Sequence, residues 1–210
     1  MVRHLLAWLI DSVLPRHTDA ERGRGVDVPK LGEKLSPRTL TALPWVHSLF
    51  SYQDTDVRAA IKALKYYGET NVAKTLGVLV ADYALELLAE RKALHGWRHV
   101  IICPIPSSAK RLRERGYNQA GLIAQVAAEI MEVQYEPHFL RRAERESQVH
   151  VDRSKRKDNM KGVFTALPTV SGMSVILIDD VVESGATLSD ARRALVEAGA
   201  HHVIAITIAH

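Results

Sequence analysis

The sequence predicts an α/β fold with a mainly parallel sheet flanked by helices, and three observations support this. Short runs of Val, Ile and Leu alternate with stretches of helical periodicity in the second half of the 210-residue chain. These runs are continuously apolar, which is typical of parallel strands buried on both faces. The hydrophobic content of 47% beside 25% charged residues is that of a globular chain that can bury one sizeable core.

The first half of the chain contributes an arm and two predicted helices. Residues 2–14 have the pattern of a short amphipathic helix that docks on the protein, with membrane-surface binding as the alternative. Residues 15–44, rich in Arg, Gly, Asp, Lys and Pro, are expected to be irregular, and residues 47–52 to form a strand. Apolar residues at helical spacing predict one helix over 57–68 and a longer one over 71–93.

The second half alternates strands and helices. Residues 100–103, 175–178 and 202–208 are predicted strands, because each is a short run rich in Val and Ile. A helix is predicted to begin after Asn118, a favourable N-cap, and to run to Met131. Another is predicted over 188–198, where a glycine follows and ends it. Strands separated by helices in this way indicate βαβ units.

Composition excludes several classes of protein. A single cysteine, Cys103, excludes a disulfide framework and any multi-cysteine zinc or iron–sulfur site, and it fits a reducing, cytoplasmic location. The longest apolar stretch, residues 76–88, is interrupted by Asp82 and Glu86, so no membrane span is predicted. The net charge of +4, from 28 basic and 24 acidic residues, mildly favours an anionic ligand.

Residues 175–187 carry most of the predicted chemistry. A buried strand ends in Asp179 and Asp180, at the sheet edge where open α/β sheets bind ligands. A short loop containing Ser184 and Gly185 then opens a helix, whose free N–H groups and positive dipole end suit a phosphate. A ligand with both hydroxyls and a phosphate, such as ribose 5-phosphate, satisfies the two features. A solvated turn followed by an ordinary helix cap is the alternative, and the co-occurrence of all these features within 13 residues favours the ligand site.

Basic residues cluster in two further segments. The first cluster follows strand 100–103 and consists of Lys110, Arg111, Arg113 and Arg115. The second consists of Arg153, Lys155, Arg156 and Lys157. Both support an anionic ligand, with a solvated helix face or a tail as the alternative. Nucleic-acid binding also stays open, although the aromatic residues are scattered rather than interleaved with these charges.

The run at 175–187 resembles the phosphoribosyl pyrophosphate (PRPP) signature of type I phosphoribosyltransferases. Other segments resemble the ComF family of competence-associated, phosphoribosyltransferase-like proteins; they are residues 64–68, 104–106 and 113–119, and Gln148 followed by Arg153, Arg156, Asn159, Gly162 and Phe164. Many members carry a cysteine-rich zinc ribbon, but residues 16–44 contain no cysteine. The resemblance implies that residues 46–210 form a domain of the type I phosphoribosyltransferase fold, which includes a hood region. Residues 1–45 would form a helical and irregular arm before this domain.

The resemblance also implies a reaction, Mg²⁺-assisted displacement of pyrophosphate from C1 of PRPP by a nitrogen nucleophile, which would make the protein a glycosyltransferase. Asp179 and Asp180 would bind the ribose hydroxyls, directly or through Mg²⁺. The 5-phosphate would be bound by Glu183, Ser184, Gly185, Ala186 and Thr187. Pyrophosphate would contact Pro106, Ser107, Ser108, Arg113 and Arg115. The hood would contribute Arg153, Lys155 and Arg156.

Glu183 departs from the family pattern, which usually has Thr at this position. In one interpretation its side chain points away from the phosphate, and backbone N–H groups make the cradle. In the other it faces C1 and acts as a general base, a catalytic role beside Asp179 and Asp180, as the corresponding acid does in hypoxanthine-type phosphoribosyltransferases. We favour the first, because the surrounding match is to proteins with Thr.

Turnover itself stays open at this point. The alternative to an enzyme is a non-catalytic factor of competence or DNA uptake that binds a phosphoribosyl ligand or DNA. PRPP or another phosphoribosyl ligand is the expected partner. Competence or DNA-uptake proteins, nucleic acid and a second copy of the chain are further partners that the sequence leaves open.

Overall fold

The computed structural model describes residues 28–66, 70–143 and 162–210. The predicted helix over 2–14 lies outside the described residues. So do the predicted hood cations, Arg153, Lys155 and Arg156.

A six-stranded sheet forms the centre of the fold, in the order β1-β2-β8-β7-β3-β4. Its strands are β1 (Arg38–Leu40), β2 (Leu43–Phe50), β3 (Val100–Pro104), β4 (Gln134–Tyr135), β7 (Ser174–Val181) and β8 (His202–Ala209). Neighbouring strands are parallel except β1, which pairs antiparallel with β2 at one edge. The predicted mainly parallel sheet is confirmed.

Five α-helices accompany this sheet in the described part of the chain. They are α1 (Thr55–Tyr66), α2 (Thr70–His95), α3 (Ala109–Arg115), α4 (Gln119–Met131) and α5 (Ala186–Glu197). Ile176 and Ile178 of β7 belong to the buried cluster formed with α1, α2 and α4. Val175 and Leu177 belong to the cluster on the opposite face, with α5. Helices on both faces explain why this strand is continuously apolar.

A second, two-stranded antiparallel sheet lies apart from the first. It pairs β5 (Leu140–Arg142) with β6 (Phe164–Ala166), the two strands that bracket residues 144–161. Phe164 is fully buried, so this small sheet is packed onto the rest of the fold. No helix in the described ranges is long and apolar enough to cross a membrane.

The described fold begins well before residue 46, where the sequence places the start of the main domain. A 3-10 helix (Val28–Lys34) contributes Leu31 to the core, and the expected division between residues 45 and 46 falls inside β2. The segment up to Pro44 was expected to be irregular because β1 has only three residues, too few to show a period. The strand expected at 47–52 is β2, which begins four residues earlier, at Leu43, and ends at Phe50.

Candidate functional site

A cavity of about 400 Å³ opens where β3 and β7 end. Its walls come from residues 105–107 after β3, residues 118–120 at the start of α4, and residues 179–188 after β7. Three cations complete the lining: Lys65, Arg111 and Arg142. The structure thus brings the predicted acid pair, the predicted phosphate loop and part of the predicted pyrophosphate loop around one space.

The two carboxylates occupy the end of β7 and are both partly buried. The backbone N–H of Asp180 donates to Asp179 Oδ1 at 2.8 Å, and Lys65 Nζ lies 2.9 Å from Asp180 Oδ2. Burial raises the pKa of Asp179 to about 7, the negative charge of Asp180 acts in the same direction, and Lys65 and Arg111 oppose them. The Asp179 carboxyl therefore keeps its proton to a higher pH than an ordinary aspartate does.

The loop after the acid pair ends at the uncapped start of α5. The N–H of Ala186 donates to Ser184 Oγ at 3.4 Å, and the N–H of Ser189 donates to the carbonyl of Gly185. The N–H groups of Thr187 and Leu188 have no acceptor among the described residues. Unpaired first-turn N–H groups facing a cavity make a favourable position for an anion.

Gly185 is required here by backbone geometry. Its φ of 73° lies in the left-handed region, and a Cβ would fall 2.1 Å from Leu43 Cδ1. A glycine also lets the backbone approach a phosphate closely. In the structure the space that a side chain would need is taken by Leu43 of β2, so the glycine serves the turn and the sheet contact.

A second uncapped helix start lines the same cavity. Asn118 is the N-cap of α4, as predicted, but its side chain makes no capping bond. Instead, its Nδ2 donates to the Ile105 carbonyl and its Oδ1 accepts from Ser107 Oγ, both at 3.0 Å. The side chain thereby ties the loop after β3 to α4. No described residue accepts from the N–H groups of Ala120 and Gly121, which stay available.

Two guanidinium groups face the carboxylates across the cavity. Arg142 is partly buried on β5, with its guanidinium carbon 5.4 Å from the centre of the Phe164 ring. Burial lowers the pKa of Arg142, the positive charge of Arg111 acts the same way, and Asp179 opposes both. Two cations held close enough to repel one another indicate a site for an anion of more than one charge.

The predicted pyrophosphate residues are divided by the structure. Pro106 and Ser107 line the cavity, whereas the hydroxyl of Ser108 accepts from the N–H of Arg111 and caps α3. Arg115 donates to Gln119 Oε1 at 3.0 Å and lies over the Tyr66 ring.

Arg113 is exposed and does not line the cavity. Arg111 lines it instead, because residues two apart on a helix point to nearly opposite sides. Of these two arginines, only Arg111 therefore lines the cavity, and the assignment of Arg113 to pyrophosphate stays a prediction. Glu183 is exposed on the cavity wall, where both interpretations of its role still apply.

Sequence reasoning did not identify three residues of this site. Arg142 and Lys65 come from elements distant in the chain, and only the fold brings them to the end of β7. Asp190 lies behind the site, where it accepts from the N–H groups of Gly162 and Phe164, each at 2.8 Å. An acidic residue among the apolar positions of a predicted helix, between Leu188 and Ala191, is the signal that could have pointed to Asp190.

The acid pair fits a magnesium ion in one particular way. The described residues contain no cluster of three or more His, Cys, Asp or Glu side chains that could hold a metal. Mg²⁺ usually binds one or two carboxylates together with phosphates of the substrate. Asp179 and Asp180, beside cavity walls suited to anions, match that mode rather than a site built by protein alone.

The fold and the site together define a phosphoribosyltransferase-like protein. A mainly parallel sheet carries an acid pair at the end of a central strand, and a short loop leads from it to an uncapped helix start. Residues 115–210 match the phosphoribosyl transferase domain family. The chain therefore carries this domain, and the resemblance predicted from its sequence is confirmed.

The chain is similar in sequence to a curated competence protein and to a curated DNA utilization protein. It is 29% identical over 152 residues to the competence protein ComFC of Bacillus subtilis, covering 72% of this chain and 58% of that protein. It is 26% identical over 141 residues to the DNA utilization protein YhgH of Salmonella typhimurium, covering 67% and 61%. The chain thus spans about three-fifths of the length of these curated relatives.

Among solved structures, the fold is similar to that of the B. subtilis glutamine PRPP amidotransferase complexed with ADP and GMP. The two structures align with a TM-score of 0.41 and 21% sequence identity. The alignment covers 70% of this chain and 30% of that chain.

Proposed function

We propose that this protein binds PRPP in the cavity and transfers its phosphoribosyl group to a nitrogen nucleophile. One observation carries the proposal: the carboxylate pair and the unpaired N–H groups at the start of α5 are joined by one short loop and line one cavity. A sugar with a 5-phosphate presents hydroxyls for the carboxylates and a phosphate for the N–H groups. The arginines and the second helix start on the facing wall provide for a further anionic group.

Each part of PRPP is assigned to one wall. The 5-phosphate lies against residues 183–187, and the ribose hydroxyls bond to Asp179 and Asp180. The pyrophosphate lies against residues 105–107 and the start of α4, with Arg111 and Arg142 as its counter-charges. Support for this comes from the chemistry of each wall: N–H groups and cations for phosphates, carboxylates for hydroxyls.

The reaction is a substitution at C1 of the ribose. The nitrogen nucleophile forms the new bond to C1, and pyrophosphate leaves with the electron pair of the broken C–O bond. Positive charge develops on the sugar and negative charge on the leaving group, which Arg111 and Arg142 stabilise. Bound Mg²⁺, held by Asp179 and Asp180 together with the pyrophosphate, would neutralise further charge on that group.

We place the protein in the reducing cytoplasm. Its single cysteine, Cys103, is buried, which fits this location.

Pyrophosphate release is the test of transfer. Purified protein with PRPP and Mg²⁺ is offered a panel of nitrogen nucleophiles, from ammonia to purine and pyrimidine bases, and released pyrophosphate is measured. Transfer predicts release that depends on one nucleophile and is lost in Asp179→Asn with Asp180→Asn. Asp82→Asn, a partly buried carboxylate on α2 away from the cavity, is the matched control. Binding of PRPP without release by any nucleophile contradicts transfer.

Glu183 is best tested at the same time. In the interpretation we favour, backbone N–H groups form the cradle, so Glu183→Gln keeps or improves PRPP affinity and leaves turnover unchanged. General-base catalysis contributes roughly 10²–10⁴-fold, so the competing interpretation predicts a loss of that size at constant affinity. The ratio of turnover to affinity in Glu183→Gln and Glu183→Thr separates the two.

A second candidate function, nucleic-acid binding without turnover, has its own observation. None of the residues of α3 is buried, and four of its seven are basic. Tyr66, 67% exposed, lies beside this helix with Arg115 over its ring. The names of the relatives, a competence protein and a DNA utilization protein, agree with such a role.

Titration with a single-stranded oligonucleotide at several salt concentrations tests this candidate. Lys110→Glu with Arg113→Glu should weaken binding and flatten its salt dependence. PRPP affinity should stay the same, since neither residue lines the cavity. If the double variant binds the oligonucleotide with the affinity and salt dependence of the wild type, α3 has no role in nucleic-acid binding.

A further inference from the structure

Lys65 reaches the acid pair from outside the matched domain. It lies in the last turn of α1, before residues 115–210, yet its Nζ is 2.9 Å from Asp180 Oδ2. The two side chains are only 22% and 17% exposed, so this ion pair is largely withdrawn from solvent. An ion pair in such surroundings holds its geometry more firmly than a surface pair.

The end of α1 is fixed on either side of Lys65. Leu64 is fully buried, and its carbonyl accepts from the Tyr117 hydroxyl at 2.6 Å. On the other side, the guanidinium of Arg115 lies over the Tyr66 ring. These contacts come from Arg115, the last residue of α3, and from Tyr117, in the segment that joins α3 to α4. The ammonium of Lys65 is therefore presented to the cavity by a braced helix end.

The ion pair gives the two carboxylates different tasks. The ammonium of Lys65 holds the Asp180 carboxylate in one orientation, which suits it to accept a hydrogen bond from a ligand. Asp179 instead accepts from the N–H of Asp180 and lies across the cavity from Arg111 and Arg142. An ammonium has three N–H donors, and Asp180 engages one of them.

We propose that Lys65 is a positioning residue for the sugar of the ligand, holding the Asp180 carboxylate as a fixed acceptor for a ribose hydroxyl. This inference rests on the proposed phosphoribosyl site. It assigns a site residue to the segment before the matched domain. It also predicts that Lys65 matters for the sugar and not for the phosphate, since the start of α5 contacts the phosphate without it.

Two probes separate these contributions. Inorganic phosphate engages the N–H groups and cations that line the cavity and not the acid pair, whereas ribose 5-phosphate also engages the acid pair. Calorimetry with both probes should show that Lys65→Met weakens ribose 5-phosphate binding by about 10- to 100-fold, the range for a lost charge-assisted hydrogen bond. Phosphate affinity should fall much less in the same variant, because phosphate makes no hydrogen bond to the acid pair that Lys65 holds in place.

Two further variants guard against a merely structural effect. Lys62→Met removes an exposed lysine one turn earlier on α1 and should behave like the wild type with both probes. Lys65→Arg keeps the charge and should restore most of the ribose 5-phosphate affinity. Melting curves check that each variant is folded. Adding Lys65→Met to Asp180→Asn should weaken binding no further, because Lys65 acts through Asp180.

Each contrary result has its own meaning. Unchanged ribose 5-phosphate affinity in Lys65→Met overturns the role of Lys65 and leaves the phosphoribosyl site intact. Equal loss of both probes, or an additional loss in the double variant, overturns the positioning role as well. Failure of the wild type to bind either probe refutes the proposed function, and the inference with it.

Discussion

Asp190 on α5 accepts the backbone N–H of Phe164 on β6 at 2.8 Å. The same carboxylate, 5% exposed, accepts from the N–H of Gly162 and from Arg193 Nε, and Arg193 also donates to the Phe164 carbonyl. Through this cluster the small β5–β6 sheet is attached to α5. Arg142 on β5 is thereby held at a fixed place relative to the phosphate loop at the start of α5.

Asp190→Asn should destabilise the protein by about 1.5–3 kcal/mol, the range for disturbing hydrogen bonds to a charged group. An amide leaves only one acceptor atom and turns an NH₂ group toward a backbone donor. Urea unfolding followed by circular dichroism measures the change. Glu197→Gln is the matched control, because Glu197 contacts the same Arg193 from an exposed position. Equal stability of the two variants would show that the cluster does not hold the small sheet.

The free protein should lose stability as pH rises from about 4 to 8, through the contribution of Asp179. Burial raises the folded-state pKa of Asp179 to about 7, while the unfolded chain releases this proton near 3.8. Above pH 4 the unfolded state therefore binds fewer protons at this position than the folded state, and unfolding becomes easier until pH passes 7. Asp179→Asn should abolish this part of the pH dependence, as measured by melting temperature at pH 5 and pH 8.

The contribution of Asp190 to stability changes with pH in the opposite direction to that of Asp179. Although burial acts to raise it, hydrogen bonds from Phe164, Gly162 and Arg193 bring the pKa of Asp190 below its usual value. Its stabilisation is complete above the unfolded pKa and is lost only as pH falls below it. Asp190→Asn should therefore leave the slope between pH 5 and pH 8 unchanged. A slope that survives in Asp179→Asn would contradict the assignment to Asp179.

Gly185→Ala should lower stability by more than the roughly 1 kcal/mol expected for a left-handed residue, because the new Cβ meets Leu43. Gly172→Ala isolates the backbone part, since Gly172 has a φ of 77° and open space around it. Combining Gly185→Ala with Leu43→Ala should remove the collision between the new Cβ and the Leu43 side chain. The cost of the left-handed backbone at position 185 should remain in the combined variant. Equal melting temperatures for Gly185→Ala and Gly172→Ala would mean that Leu43 moves freely.

Arg142→Gln should weaken PRPP binding by about 10- to 100-fold and leave ribose 5-phosphate binding unchanged. The reason is that Arg142 and Arg111 lie on the wall assigned to the pyrophosphate, which ribose 5-phosphate lacks. Arg113→Gln, on the opposite side of α3 from Arg111, is the control and should bind both ligands normally. If Arg142→Gln weakens the binding of both ligands equally, the assignment of Arg142 to the pyrophosphate wall is wrong.

The sequence predicted those parts of the site that are local in the chain. Residues 175–187 show a strand, two acids and a helix start in succession, and each has a pattern visible over a few residues. The seven residues of α3 bury no side chain, so they have no apolar periodicity from which a helix could be predicted. Arg113 and Arg111 could not be told apart for the same reason.

Long-range contacts explain the rest of what the sequence could not predict. Lys65 and Asp180 are 115 positions apart and meet only because α1 ends above β7. The reason for glycine at position 185 depends on Leu43 of β2, which no local pattern shows. Asn118 was predicted as the cap of α4, and its position is confirmed. Its side chain bonds to the loop after β3 because that loop passes close by in the fold.

Calorimetric titration of PRPP with Mg²⁺ into the wild type and into Asp179→Asn with Asp180→Asn tests the central claim most directly. Two lost charge-assisted bonds, at about 1.5–3 kcal/mol each, predict a fall in affinity of more than about 100-fold. The double variant should remain folded, and Asp82→Asn should bind as the wild type does. Equal PRPP affinity in the double variant and the wild type would contradict the claim that this acid pair binds the sugar of a phosphoribosyl ligand.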